Sequence, residues 1–509
     1  MQKRTGLTTA VAAVGATTLL LTGCAGGDGG DPDTSTLSIA TMTFPQSLDP
    51  AEAMGSALPY FQAVYDTLVK REPDGSYTPM LATEWSYDDT LTELSLTLRE
   101  DVAFGGGTPF DGEAVKANLE RFRDAGGGQA ATMASLEEVE VVDATHVVLH
   151  LSQPNPAMLF YLSDAAGLMA DPAAFDGEGL GTDPAGTGPY ELDTGRTAVG
   201  TTWVFTRADD YWGEEPPYDE ISIGYFDNET AIVNGLRTGQ INAALVQTAD
   251  QQQVVSEDAA LETLPQSIDY QGIILFDRDG ALVPELAEPK VRQAVAHALD
   301  RATMLEQLRG GQGEITDQVF GTETAAYDPE LDSRYPYDPD RARELLEEAG
   351  YPDGFSLTLP RIGAIVPDAM AASIKTDLAA VGIDLAWEDL EQGNALSRIF
   401  VDQAFPGMVM NNAQPAEDWI TVAELVLPGT FNHRGNTDGT VQELTAELQN
   451  SPAGEGDEAA RELNRHLVEQ AWFVPFYRMQ YLHVTDGTVA VEPQSGMAVP
   501  SLYNYTPVD

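Results

Sequence analysis

Tyr270-Gln271-Gly272-Ile273-Ile274-Leu275-Phe276 reads as a strand. Val291-Arg292-Gln293-Ala294-Val295-Ala296-His297-Ala298-Leu299-Asp300-Arg301, which follows it, reads as a helix with Val291, Val295, Ala298 and Leu299 on its apolar face. The alternation continues beyond them. Asp340–Ala349 is a strongly amphipathic helix, preceded by Asp338-Pro339 and closed by Gly350 as a C-cap. Strand Phe355–Leu359, helix Asp368–Ala380, strands Ile383–Trp387 and Gly407–Met410, and a helix from about Ala459 to Gln470 complete this half. Strands alternating with helices in this way predict an α/β lobe.

The first half repeats the pattern. Leu37–Ala40 alternates as a strand and runs into the Pro-punctuated loop Thr43–Pro50. Phe61–Lys70 has helical spacing, and Leu94, Leu96 and Leu98 mark a strand. Asp111 stands as an N-cap before Val115, Leu119 and Phe122, and Val139–Leu151 reads as a hairpin around Asp143-Ala144. Asn228–Leu236 is helical and Ile241–Leu245 is a short strand.

With 509 residues, 43% of them hydrophobic, the chain can fill two or three domain-sized units. Its 81 acidic against 26 basic residues give a net charge of −55, which repels nucleic acid and anionic membrane faces. The acids are spread along the whole chain, as on a solvated surface. At the start, Lys3 and Arg4 precede an apolar run from Leu7 to Leu21, the layout of a secretion signal over residues 1–23. The run is too short and too Thr-rich for a good membrane span. Cys24, the one cysteine of the chain, directly follows Leu20-Leu21-Thr22-Gly23. This resembles the bacterial lipobox, whose cysteine is acylated, with palmitate among the expected groups. No cysteine then remains for a disulfide, a thiol nucleophile or a metal cage. Residues 24–36, rich in Gly and Asp, read as a flexible tether.

Catalytic chemistry has no assembled motif here. Gly186-Thr187-Gly188-Pro189-Tyr190 lacks the Lys-Ser/Thr of a phosphate loop and reads as a tight turn. His146 and His150 share a strand face about 13 Å apart, too far for one metal. His297, His433, His466 and His483 have no ligand spacing, and no G-x-S-x-G elbow occurs. Neither a metal nor a cofactor is expected.

Several segments, in order, carry a family resemblance. They are Ser47-Leu48-Asp49-Pro50, Tyr65-Asp66-Thr67-Leu68, Pro79 through Trp85, Leu98-Arg99 through Phe104 with Gly107-Thr108-Pro109-Phe110, Gly186 through Tyr190, Tyr211-Trp212-Gly213 and Val291 through Arg301. Tyr337 to Tyr351, Leu378 to Ile383, and Trp472 with Pro475 and Tyr477 complete the series. The set resembles the extracellular solute-binding proteins of family 5, which feed ABC importers of peptides, nickel and related solutes. The resemblance implies an α/β, two-lobed periplasmic-binding-protein-like clamshell of type II, of the large class with an inserted subdomain. Lobe I would comprise residues 37–60, 186–267 and 481–509, the inserted subdomain 61–185 and lobe II 268–480, with hinge crossings near 268 and 481.

In such a clamshell, ligand-binding residues come from loops at the lobe interface. Phe44, Pro45 and Gln46 form the first candidate group, and Tyr270, Gln271 and Gly272 the second; a glycine there admits close backbone approach. Asn411, Asn412, Glu417, Asp418 and Trp419 form the third. Peptide-binding relatives place an acidic residue before a proline to hold the ligand's α-ammonium; here Asn411-Asn412 precede Pro415 and the acids Glu417 and Asp418 follow it. Arg361 reads as a loop charge. The function implied is that of a monomeric, lipid-anchored solute-binding lipoprotein on the extracellular face of the cell membrane. It would deliver a peptide or other small-molecule ligand to an ABC permease and its ATPase subunits, with no nucleic-acid partner. Nickel chelates and oligosaccharides stay open as ligands. An exported hydrolase, or a sensor or pheromone receptor without transport, are the alternatives.

Overall fold

The computed structural model describes residues 35–175, 179–452 and 454–508. The leader, Cys24 and the tether as far as residue 34 lie outside these. Among the described residues the largest sheet has nine strands. Its order is Gly407–Ala413, Glu262–Leu275, Phe473–Thr485, Ala243–Val246, Thr36–Thr41, Glu220–Tyr225, Thr202–Arg207 and Tyr190–Leu192, with Gly313–Ile315 also paired to Phe473–Thr485. Thr36–Thr41 runs parallel to both of its neighbours, while the other pairings are antiparallel.

Two strands of this sheet are long. Glu262–Leu275, of 14 residues, pairs along its length with Phe473–Thr485, of 13. At about 3.3 Å per residue each spans roughly 45 Å, enough to run from one core to another. Their ladder shifts register between Ser267 and Asp269, opposite Gln480 and Met479, and again between Gln271 and Gly272. Such bulges bend a strand and raise its twist. On one side of the first bulge Leu482–Thr485 pairs with Ala243–Val246; on the other, Asp269–Leu275 pairs with Gly407–Ala413. The apolar cores divide in the same way. One gathers Leu37, Ile39, Tyr65, Leu96, Leu119, Phe205 and Ile223; two others gather residues such as Val291, Leu345, Ile374 and Leu385, and Tyr270, Phe276, Trp419 and Leu463.

Within the first core sits a separate antiparallel sheet in the order Ala82–Tyr87, Glu93–Leu98, His146–Leu151, Leu136–Asp143. Helix Gly112–Asp124 buries Val115, Leu119 and Phe122 in the same core, and the Asp111 carboxylate caps it by accepting from Ala114 N at 3.0 Å.

Two expectations from periodicity fail for tertiary reasons. Helix Leu58–Gln62 stops well short of Lys70, and Val69–Arg71 is a strand paired with Tyr77–Pro79. The carbonyls of Ala63 and Val64 accept instead from Tyr190 N (2.8 Å) and Gly188 N (3.1 Å). A Cβ on Gly186 would lie 2.0 Å from Val64 O, so glycine is what lets that turn press on the segment. Val291–Arg301 is not one helix but the end of Pro289–Ala298 and the start of Arg301–Arg309. Asp300 caps the second, accepting from Thr303 N at 3.0 Å. Arg292 donates to Gln470 O at 3.0 Å and Leu286 O at 2.7 Å, a contact internal to its own core.

Candidate functional site

In the hairpin Val69–Arg71/Tyr77–Pro79, Arg71 stands directly opposite Tyr77. The Tyr77 hydroxyl donates to Glu417 Oε1 at 2.6 Å. Glu417 lies between strand Gly407–Ala413 and the turn of helix Asp418–Thr421, so this bond joins the first core to the element bearing Trp419 of the third. The Arg71 guanidinium stacks 4.2 Å over Phe160, and the adjacent Tyr161 packs against that third core.

The charges of Glu417 and Glu424 are felt by several of the surrounding phenols. Burial, then the Glu417 charge, pushes the Tyr77 and Tyr87 hydroxyls far up. Burial followed by Glu424 and Glu417 raises Tyr161 to about 12, and burial followed by Glu424 raises Tyr270. Glu424 itself is raised by burial alone, although its side chain is solvent-accessible. Four buried polar atoms near these groups have no hydrogen-bond partner: Tyr87 OH, Tyr270 OH, Asn412 Oδ1 and Thr421 Oγ1. Orphaned polar atoms are rare in protein interiors, and a bound polar molecule would satisfy them. The region where the first and third cores meet, called the chamber below, thus gathers aromatic rings, two carboxylates, one guanidinium and unpaired neutral donors and acceptors, the groups that ligand sites use.

The candidate residues from sequence divide. Tyr270 and Asn412 face one another across the sheet and reach the chamber with Glu417. Trp419, 7% exposed, is a wall of the third core. Asp418 accepts from Ala326 N at 3.2 Å, and burial pushes its carboxyl up to about 6. Gln271 is engaged by Tyr477 OH (2.8 Å) and by Ile365 O (3.1 Å), and Asn411, opposite it, is exposed. The room left by Gly272 is filled by its own sheet, since a Cβ there would meet Pro475 Cα at 2.6 Å. Phe44 packs on Trp203 and Tyr225, with centroids 5.4 and 4.8 Å away. Pro45 and Gln46 rim a separate groove of about 420 Å³ with Ser47, Thr182 and Trp203. Sequence reasoning missed Arg71, Tyr77, Tyr87, Phe160, Tyr161 and Glu424. No local signal marked them: Arg71 follows a segment whose spacing reads as helix, and its strand and burial come from tertiary contacts.

The motif residues converge elsewhere. Asp66, fully buried, accepts from Trp212 Nε1 (2.7 Å), Thr187 Oγ1 (2.9 Å), Tyr211 OH (3.1 Å) and Tyr503 OH (3.3 Å). Burial outweighs these donors and raises its pKa to about 6. This network ties four distant segments together as scaffold. Among the described residues no group of three His, Cys, Asp or Glu is placed to hold a metal, and no helix is long and apolar enough to cross a membrane.

A mixed sheet continuous through separate cores is the α/β two-lobed architecture of type II periplasmic binding proteins. HbpA2 from Haemophilus parasuis is similar to it, with a TM-score of 0.81 at 20% identity over 93% of this chain and 100% of that one. So is DppA from Helicobacter pylori in complex with the peptide STSA, with a TM-score of 0.77 at 20% identity over 93% and 98%. The chain belongs to the bacterial extracellular solute-binding proteins, family 5, matching that family's middle region over residues 76–418. Glutathione-binding protein GsiB of Escherichia coli (strain K12) is 30% identical over 323 residues, which cover 62% of this chain and 61% of that relative.

Proposed function

We propose that this protein captures a short peptide between its lobes and delivers it to an ABC permease and its ATPase subunits. The observation that carries this reading is the Tyr77–Glu417 bond, which closes one core onto another around unpaired polar groups and an accessible acid. Lobe I, in this reading, is 37–60, 186–267 and 481–509 with the insertion 61–185, and lobe II is 268–480. The bulge at Ser267/Asp269 opposite Gln480/Met479 supports a hinge at that crossing. Glu417 and Glu424 would receive the ligand's ammonium group. Phenols, amides, carboxylates and a guanidinium are anchors, which favours a binder over a hydrolase. The relative named for glutathione, itself a tripeptide, supports a peptide ligand. Acylated Cys24 and the tether would hold the protein within reach of its permease on the outer face of the membrane.

The test is native mass spectrometry of unfolded and refolded protein offered a tripeptide library, glutathione and an oligosaccharide mixture. Retention of peptides is expected. Retention of oligosaccharide alone, or turnover of peptide, would overturn the proposal. A Cys24→Ser form should be released from membranes in a Gram-positive host, and its continued membrane association would remove the anchor.

A further inference from the structure

The buried arginines of this protein have different kinds of partner. Arg278 donates to Leu275 O and Asn432 Oδ1, and Arg292 to backbone carbonyls. Arg301 pairs with Asp317 and also donates to Tyr335 O. Arg478 forks onto Asp332 at 2.9 and 3.0 Å and also reaches Gln414. Arg71 is also buried, at 7% exposure, the same as Arg278. Among the described residues, though, its one hydrogen-bond partner is the thioether of Met497, a weak acceptor.

Acids lie close by but are turned elsewhere. Burial lowers the Arg71 pKa, and Asp164, Tyr77 and Glu417 pull it partly back. Asp164 directs its carboxylate to Ala165 N at 2.6 Å, and Glu417 accepts from Tyr77. Neither makes an ion pair with the guanidinium. Stacking on Phe160 fixes the guanidinium plane, and Nη2 faces the Met497 thioether, so among the described residues no carboxylate takes the fork. A guanidinium held in this way matches the two oxygens of a carboxylate, a far stronger acceptor than a thioether.

We propose that Arg71 is a subsite for a carboxylate of the ligand. The chamber then takes a solute that carries a free carboxylate at Arg71 and an ammonium toward Glu417 and Glu424. This rests on the peptide-binding reading above. In a peptide the group at Arg71 is the C-terminal or a side-chain carboxylate.

The experiment compares retention of two tripeptide libraries restricted to residues without acidic side chains, one with free C-terminal acids and one with C-terminal amides. Wild-type protein is expected to retain acids at least tenfold better than amides. Arg71→Met should reduce acid retention to the amide level, and Arg71→Lys, which keeps the charge and loses the fork, should fall between. Equal retention of acids and amides by the wild type would overturn the subsite while leaving the peptide reading intact. Retention of neither library would overturn the peptide reading and this inference with it. The wild-type comparison decides even if Arg71→Met does not fold. An Arg71→Met protein that melts lower but keeps the acid preference would show a packing role on Phe160 and sink the proposal.

Discussion

Tyr77 and Glu417, 340 residues apart in sequence, are joined by a 2.6 Å hydrogen bond that crosses from the hairpin Val69–Arg71/Tyr77–Pro79 to the loop ahead of Trp419. A neutral hydroxyl donating to a carboxylate is worth about 1.5–3 kcal/mol when water is excluded, and this bond is half-buried. We expect Tyr77→Phe and Glu417→Gln each to weaken peptide retention roughly tenfold. Their double variant should lose less than the sum, because both remove the same bond. Strict additivity in a double-mutant cycle by calorimetry would mean that the two residues do not meet in the bound state.

Stability should rise on mild acidification. Burial raises Asp66, Asp269 and Asp418 from 3.8 to about 6. An acid with a raised folded pKa binds its proton more tightly when folded. Its contribution is full below about pH 3.8 and is lost as pH climbs through about 6. His483, lowered by burial from 6.5 to about 4, acts in the opposite sense over that interval. His433, also lowered by burial, acts with His483; the three acids outnumber the two imidazoles, and a net charge of −55 adds self-repulsion at high pH. Scanning calorimetry should show a higher melting temperature at pH 5.5 than at pH 8, with the slope reduced in Asp269→Asn. A melting temperature that rises with pH would contradict the assignment.

The Arg301–Asp317 pair is almost wholly buried, with side-chain exposures of 4% and 1%. Removing one partner strands the other's charge in the interior. Arg301→Met is therefore expected to destabilise by about 3–5 kcal/mol. Replacing both, as in R301M/D317L, should cost less than the single change. Urea denaturation midpoints distinguish the two, and a double variant weaker than the single one would show that the pair is net stabilising.

How much of this could be read beforehand depended on whether the cause was local. The strands around Leu37, Leu94, Phe355 and Ile383, the helix Asp368–Ala380 and the caps Asp111 and Asp338 follow from alternation and side-chain chemistry within a few residues. The segment after Gln62 did not, because its carbonyls are claimed by a turn more than a hundred residues away at Gly188 and Tyr190. The same holds for the site. Tyr270, Asn412 and Glu417 were visible as polar residues at predicted loop or strand ends. Arg71, Tyr77 and Glu424 acquire meaning only when the cores meet, and no periodicity encodes that meeting.

The segment Gln494–Met497 bridges the backbone beside Arg71 and the loop before Glu417. Gln494 Nε2 donates to Glu72 O at 2.6 Å and Ser495 N to Pro73 O at 2.9 Å, next to Arg71. On the other side, Ser495 Oγ and Gly496 N both donate to Glu323 Oε2, at 2.7 and 3.0 Å. Gly496 has a φ of +65°, and a Cβ on it would lie 2.2 Å from Ala416 N, immediately before Glu417. Gly496→Ala therefore combines left-handed strain of roughly 1–2 kcal/mol with a backbone clash that must displace residues 415–417. Gly487 is the control: its φ is +83°, yet nothing lies within 4 Å of the Cβ position. Gly487→Ala should lower the melting temperature by a few degrees and leave peptide retention unchanged. Gly496→Ala should lower retention at least tenfold, because the Tyr77–Glu417 bond cannot survive a shifted loop. Equal effects of the two substitutions on retention would show that the segment's contact with Ala416 plays no part in placing Glu417.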